Sequence, residues 1–183
     1  MKDFFTVPNT LTVSRMFLLP IFALGFFLDS SFGKTMSLVI FLLCCITDYL
    51  DGYYARAFKQ STKLGQMLDP LADKIVVSIA ILFIVGFQMI SKIAIIPAAI
   101  ILCREIIISG IRDATEFSGH NFKTSVLSKC KTAAQMFSIA IILLASINSS
   151  LRLLAIGEAM LWISSVIAII SGLIYCKNHI LND

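Results

Sequence analysis

The chain has 183 residues, of which 58% are hydrophobic and only 14% charged, and its net charge is +4. A soluble domain averages about 45–50% apolar and about 25% charged residues, so this composition cannot coat a water-soluble globule. It excludes a cytosolic enzyme, a disordered tail and a secreted disulfide scaffold, and it points to an all-α, polytopic integral membrane protein. Six helices are predicted, at about 9–28, 36–57, 67–87, 93–115, 125–147 and 155–176. The breaks are Asp29–Lys34, Phe58–Gln66, Gln88–Lys92, Glu116–Thr124 and Asn148–Gly157, each with polar or glycine punctuation. A span needs roughly 20 residues, so six spans take about 120 and leave no room for a sizeable soluble domain. Residues 1–183 therefore read as a single transmembrane domain, with no internal repeat. Pro20 and Pro97 are expected to kink the first and fourth helices.

Lysine and arginine counts set the expected orientation. With the N-terminus inside, the inner ends hold Lys2, Arg15, Arg56, Lys59, Lys63, Lys74, Arg104, Arg112, Lys123, Lys129, Lys131 and Lys177, which is 12 of the 15. The outer loops hold Lys34, Lys92 and Arg152, the remaining 3. This asymmetry points to both termini in the cytoplasm and supports an even number of spans, six rather than five or seven. It also accounts for the positive charge without nucleic acid. Cys44, Cys45, Cys103, Cys130 and Cys176 are odd in number and lack a CxxC pair, so reduced packing residues are expected. The first apolar run carries no convincing cleavage site for a signal peptide.

The acidic residues carry the chemistry. Asp48 and Asp51 are spaced i, i+3 near the inner end of the second helix, and Asp69 and Asp73 are spaced i, i+4 near the inner start of the third. Each pair shares one helical face. A short basic loop brings the two helices together antiparallel, so all four carboxylates can converge at one depth. Such a cluster near lipid would protonate unless cations held it. Hard oxygen ligands suit Mg²⁺ or Mn²⁺, and four carboxylates suffice for two ions about 3.5–4 Å apart. Gly52 and Gly65 leave room for a substrate to approach.

The string Asp48-x2-Asp51-Gly52-x2-Ala55-Arg56-x8-Gly65-x3-Asp69-x3-Asp73 resembles, without departure, the signature of the CDP-alcohol phosphotransferase family. The resemblance covers nearly the whole chain. It implies six transmembrane helices, a cytoplasm-facing site in the cytoplasmic membrane, two divalent ions and a homodimer. It implies Asp48, Asp51, Asp69 and Asp73 as metal ligands, with Asp73 also the base for the acceptor hydroxyl. The CDP moiety would lie against Asp48, Asp51, Gly52, Ala55, Arg56 and Gly65, with Asn9 and Thr12 contributing from the first helix. An alcohol would attack the phosphorus that bears the lipid, and CMP would leave.

Further polar residues bear on which alcohol. The fourth helix carries Arg104-Glu105-x3-Ser109-x2-Arg112, and the fifth begins Lys129-x-Lys131-Thr132-x2-Gln135. Arg104 and Arg112 share a face, as do Lys131 and Gln135. Arg104, Arg112, Lys129 and Lys131 read as a second anion pocket, which an acceptor with its own phosphate needs. Positive-inside sorting and binding of anionic headgroups are the alternative reading of Arg112, Lys123, Lys129 and Lys131. Adjacent residues leave a helix on different faces, so Arg104 and Glu105 are expected to find separate partners. The two motifs, with Pro8-Asn9-x-Leu11-Thr12-x2-Arg15, also resemble the branch of the family whose donor is CDP-diacylglycerol and whose acceptor is sn-glycerol 3-phosphate. Phosphatidylglycerol, inositol phosphate or serine are alternative acceptors for the same chemistry. A divalent-cation transporter is the competing class, but it should carry acids at midplane and broken helices there. A purely structural scaffold has no need of four clustered aspartates. His120 and His179 lack a second ligand at metal spacing and read as solvated surface.

Overall fold

A computed structural model describes residues 7–28, 30–58, 63–116 and 126–180, with side chains described for fewer of them. Every regular element among these is helical. They are α1 (Val7–Phe27), α2 (Ser31–Phe58), α3 (Lys63–Gly86), α4 (Ile95–Glu116), α5 (Val126–Asn148) and α6 (Leu151–Ile180). All six predicted helices are present. Among the described residues, three carry windows long and apolar enough to cross a membrane, at Ser31–Asp48, Cys130–Asn148 and Leu151–Lys177. Shorter apolar stretches cover Ser14–Phe27 and Lys74–Gly86. α4 carries Arg104, Glu105, Arg112 and Asp113 within its 22 residues.

The helix ends differ from expectation where glycine was read as punctuation. α2 starts five residues early, because Ser30 caps it: the Gly33 amide donates to Ser30 Oγ at 3.2 Å. α3 starts at Lys63, so Gly65 lies in its first turn rather than in a loop. α6 starts at Leu151 and takes in Gly157. Pro97 is the third residue of α4, where its missing amide hydrogen would have had no intrahelical partner. It starts that helix and interrupts no ladder. Pro20 lies inside α1 and removes one hydrogen bond there.

Two helix ends close without glycine. Gln88 and Ser149 take φ of 53° and 48°. The following amides reach back to the helix, Met89 to Ile84 O at 2.9 Å and Ser150 to Ala145 O at 3.2 Å. This left-handed closure satisfies carbonyls that would otherwise be orphaned.

The chain divides into two compact units, one of α1, α2, α3 and Leu143–Ser150, the other of α4, the rest of α5, and α6. In the first, α1 packs on both α2 and α3. Its core is aromatic where α1 and α3 end. Phe26 meets Phe83 at 5.1 Å and Phe87 at 5.5 Å between ring centroids, and Phe83 stacks on Phe87 at 6.0 Å. α1 and α2 approach through backbone: a Cβ on Gly33 would lie 2.5 Å from Gly25 O, and one on Gly25 would lie 2.7 Å from Gly33 O. Buried Ser37 donates to Phe22 O at 3.0 Å beside this contact. Lys34 donates to Ser146 O at 3.1 Å, a cation on the last turn of α5.

Gly33→Ala is therefore expected to destabilise the protein. Alanine gains up to about 1 kcal/mol of helix propensity, but overpacking costs about 1–3 kcal/mol and here meets backbone that cannot rotate away. A lower thermal midpoint in detergent checks this; an unchanged or higher midpoint would contradict it.

In the second unit α4 packs on α6. The Ser91 amide and hydroxyl both donate to Glu158, at 2.6 and 2.9 Å, tying the segment before α4 to α6. Ser138 of α5 donates to Gly157 O at 2.8 Å, where a Cβ on Gly157 would press Ile142 at 2.7 Å. The five cysteines are free, with Cys44 buried and Cys103 and Cys130 exposed.

Candidate active site

The carboxylates are placed by helix register. Asp48 and Asp51 lie ten and seven residues before the end of α2, and Asp73 and Asp69 lie ten and six residues after the start of α3. At 1.5 Å per residue these are two matched heights, roughly 15 Å and roughly 10 Å from the facing ends of the two helices. Only four residues link those ends, and α2 contacts α3, so the two run antiparallel. On α2 the positions 48, 51, 52, 55 and 56 fall within one face. On α3 the positions 65, 69 and 73 do the same. Both faces combine acids with residues of little or no side chain.

Asp48 is the member whose side chain is described, and it has a partner that sequence reasoning left without a role. Arg15 of α1 donates from Nη1 to Asp48 Oδ1 at 3.2 Å. The Arg15 side chain is 1% exposed and that of Asp48 31%. A guanidinium inside an apolar helix is retained only with a counter-charge, and Asp48 supplies it. The signal was available: Arg15 is the sole charge between Asp3 and Asp29. What sequence could not supply was the partner, 33 residues away.

Among the described residues no three His, Cys, Asp or Glu gather as metal ligands. The side chains of Asp51, Asp69 and Asp73 lie outside those residues, as do those of Asn9, Thr12, Gly52, Ala55, Arg56, Gly65, Arg112 and Lys129. Their backbones are helical: Asn9 and Thr12 on α1, Asp51 to Arg56 on α2, Gly65 to Asp73 on α3, Arg112 on α4 and Lys129 on α5. The donor set is chemically apt for hard divalent ions, being all carboxylate oxygen, with the Asp48 carboxylate still partly open beside its arginine.

The second unit holds a separate polar cluster. Glu105 of α4 accepts from Lys131 Nζ of α5. It also accepts from Arg104 Nη1 at 3.4 Å, while Arg104 Nη2 donates to Ser171 Oγ of α6 at 3.2 Å. Arg104 and Glu105 therefore do pair, contrary to the expectation from their adjacency. Long side chains curl back far enough to meet, and each also keeps the separate partner expected of it. Arg104 lies against α6 at Gly172, where a Cβ would stand 3.7 Å from Arg104 Cγ, an ordinary contact. Lys131 is 2% exposed and Gln135, one turn on, 1%. The structure thus brings two of the four basic residues, Arg104 and Lys131, onto one carboxylate. Sequence reasoning named the cations and missed Glu105 as the group that gathers them.

The CDP-alcohol phosphatidyltransferase family model matches residues 5–170, and the chain belongs to that family. It is similar to proteins named CDP-diacylglycerol–glycerol-3-phosphate 3-phosphatidyltransferase. One from Rickettsia felis is 36% identical over 172 residues, 93% of each chain. One from Haemophilus influenzae is 38% identical over 175 residues, covering 94% of this chain and 92% of the relative. A relative from Arabidopsis thaliana, whose name carries the same activity with a numeral, is 32% identical over 183 residues, covering 94% and 78%.

Proposed function

We propose that this chain is a membrane enzyme that transfers the phosphatidyl group of CDP-diacylglycerol to a hydroxyl of sn-glycerol 3-phosphate, giving phosphatidylglycerophosphate and CMP. The observation that carries the reading is the matched pair of aspartates on α2 and α3, in a member of a family defined by that donor chemistry. The names of the relatives support the choice of acceptor. The match over residues 5–170 favours one catalytic domain over the whole chain.

In this reading Asp48, Asp51, Asp69 and Asp73 hold two divalent ions, Mg²⁺ or Mn²⁺. Such ions, when bound, neutralise charge on the pyrophosphate and on the departing CMP. Gly52, Ala55 and Gly65 leave space for the cytidine, Arg56 pairs with a phosphate oxygen, and Asn9 and Thr12 contact the CDP moiety. Arg15 fixes the Asp48 carboxylate. Asp73 takes the proton of the acceptor hydroxyl as its oxygen bonds to the phosphorus bearing diacylglycerol; the bond from that phosphorus to the CMP oxygen breaks. Arg104, Arg112, Lys129 and Lys131 receive the acceptor phosphate, with Glu105 holding two of them until it arrives. The 12-to-3 distribution of basic residues supports six spans, cytoplasmic termini and a site facing the cytoplasm. A homodimer is proposed on the family likeness alone.

The test is CMP release by purified protein in detergent micelles with CDP-diacylglycerol and Mg²⁺. Glycerol 3-phosphate, inositol phosphate, serine and phosphatidylglycerol are supplied one at a time. Release with glycerol 3-phosphate alone, abolished by chelator, is the expected result. Release with another alcohol alone would discard the acceptor, and release with none would favour cation transport. Within this assay Arg112→Ala should raise the KM for glycerol 3-phosphate by about tenfold or more, the worth of a charge-assisted hydrogen bond. The KM for the lipid donor should hardly change; equal effects on both would remove Arg112 from the acceptor pocket.

A further inference from the structure

Gln135 is 1% exposed, and its amide nitrogen has no hydrogen-bond partner. Nε of Arg104, which shares Glu105 with Lys131, is in the same condition. Glu105 Oε1 accepts from both cations, and Ser171 Oγ accepts from Arg104 while donating to Ala168 O at 3.0 Å. Native interiors seldom leave buried donors unmet, and those that remain call for an explanation. Packing does not supply one, since Ile139, one turn further along α5, fills its fully buried place with hydrocarbon. Two buried donors, Gln135 Nε2 and Arg104 Nε, are thus unmet on facing helices of one unit. What would complete them is a molecule rich in oxygen.

We propose that Gln135 determines specificity for the acceptor by hydrogen bonding its secondary hydroxyl. The inference rests on the acceptor assigned above, sn-glycerol 3-phosphate. Its phosphate is matched by the arginine and lysines. Its remaining groups are neutral hydroxyls, and a carboxamide suits a neutral hydroxyl because it can donate and accept at once. Buried polar groups built to pair with a hydroxyl also reject the analogue that lacks it, since the unpaired amide is then shut in with hydrocarbon.

The experiment compares glycerol 3-phosphate with 3-hydroxypropyl phosphate, which keeps the phosphate and the primary hydroxyl and lacks the secondary one. CMP release gives kcat/KM for each acceptor from one preparation, so their ratio is independent of the fraction of protein folded. The parent protein should prefer glycerol 3-phosphate by about thirtyfold or more. Gln135→Met, of similar volume, should bring the ratio to within about threefold of unity, mainly by losing glycerol 3-phosphate. If Gln135→Met turns over neither acceptor, Gln135→Asn, which withdraws the amide by one methylene, must show a reduced ratio. An unchanged ratio in these variants, or a parent that does not discriminate, overturns the role of Gln135. A parent that releases CMP with a different alcohol and with neither of these overturns the acceptor reading itself, before any variant is made.

Discussion

Asp73→Asn and Asp51→Asn are each expected to abolish CMP release, by about a thousandfold or more, while leaving the protein folded and inserted. Asparagine keeps the shape and removes the charge. In the proposed mechanism the loss at Asp73 falls on the proton transfer, a contribution of about 10²–10⁴ in rate, with the loss of a cation ligand added to it. At Asp51 it falls on cation binding alone. The two should separate on titration with Mg²⁺. Raising the ion concentration should restore part of the Asp51→Asn activity and little of the Asp73→Asn activity. Circular dichroism and gel filtration in detergent should match the parent in both, since seven and ten residues of helix separate these positions from the facing ends of α2 and α3. Near-normal turnover in both variants would sink the proposed mechanism.

Glu105→Ala should be the most damaging single change in the second unit. It leaves Lys131 and Arg104, 3% and 13% exposed at their side chains, without their carboxylate. Stranding buried charge in this way costs about 3–5 kcal/mol. The same physics predicts rescue. Glu105→Met combined with Lys131→Met removes the pair together and replaces it with hydrocarbon of similar length, which is often close to neutral. The double variant should therefore unfold near the parent's temperature, or well above Glu105→Ala, and still fail to bind glycerol 3-phosphate. Thermal unfolding in detergent and the acceptor KM read the two effects apart. A Glu105→Ala protein as stable as the parent would show that the carboxylate does not hold these cations in place.

What could be read in advance follows from how far each signal reaches along the chain. Six apolar runs were visible because the helix period and length repeat within each run. The four aspartates were visible because i, i+3 and i, i+4 spacings define a face without reference to any partner. Contacts between runs were not. Arg15 with Asp48, Glu105 with Lys131 and Arg104 with Ser171 join residues 33, 26 and 67 apart. Nothing local announces them beyond a charge that an apolar helix should not carry. Glycine misled for a different reason. Between soluble elements it marks a turn, but Gly33 and Gly157 sit inside helices, where the missing side chain admits the Gly25 carbonyl and Ile142. In helices this apolar, close approach is as common a use of glycine as punctuation.

The two clamps between α1 and α2 have a mechanical consequence. One is the Gly25–Gly33 backbone contact, the other the Arg15–Asp48 ion pair, ten residues or roughly 15 Å apart along α1. Helices pinned at two such points rock as one piece. α3 meets α1 through rings, Phe83 and Phe87 against Phe26 and Phe27, and rings slide over one another more readily than ion pairs break. Asp73 lies ten residues, again roughly 15 Å, from Phe83. A tilt of α3 by roughly 5° about its aromatic end would swing Asp73 by roughly 1.3 Å on that arm. On the proposed reading of the four aspartates as cation ligands, that distance separates a made bond from a broken one, so a small pivot of α3 would tighten or slacken the site while Asp48 stays where Arg15 holds it.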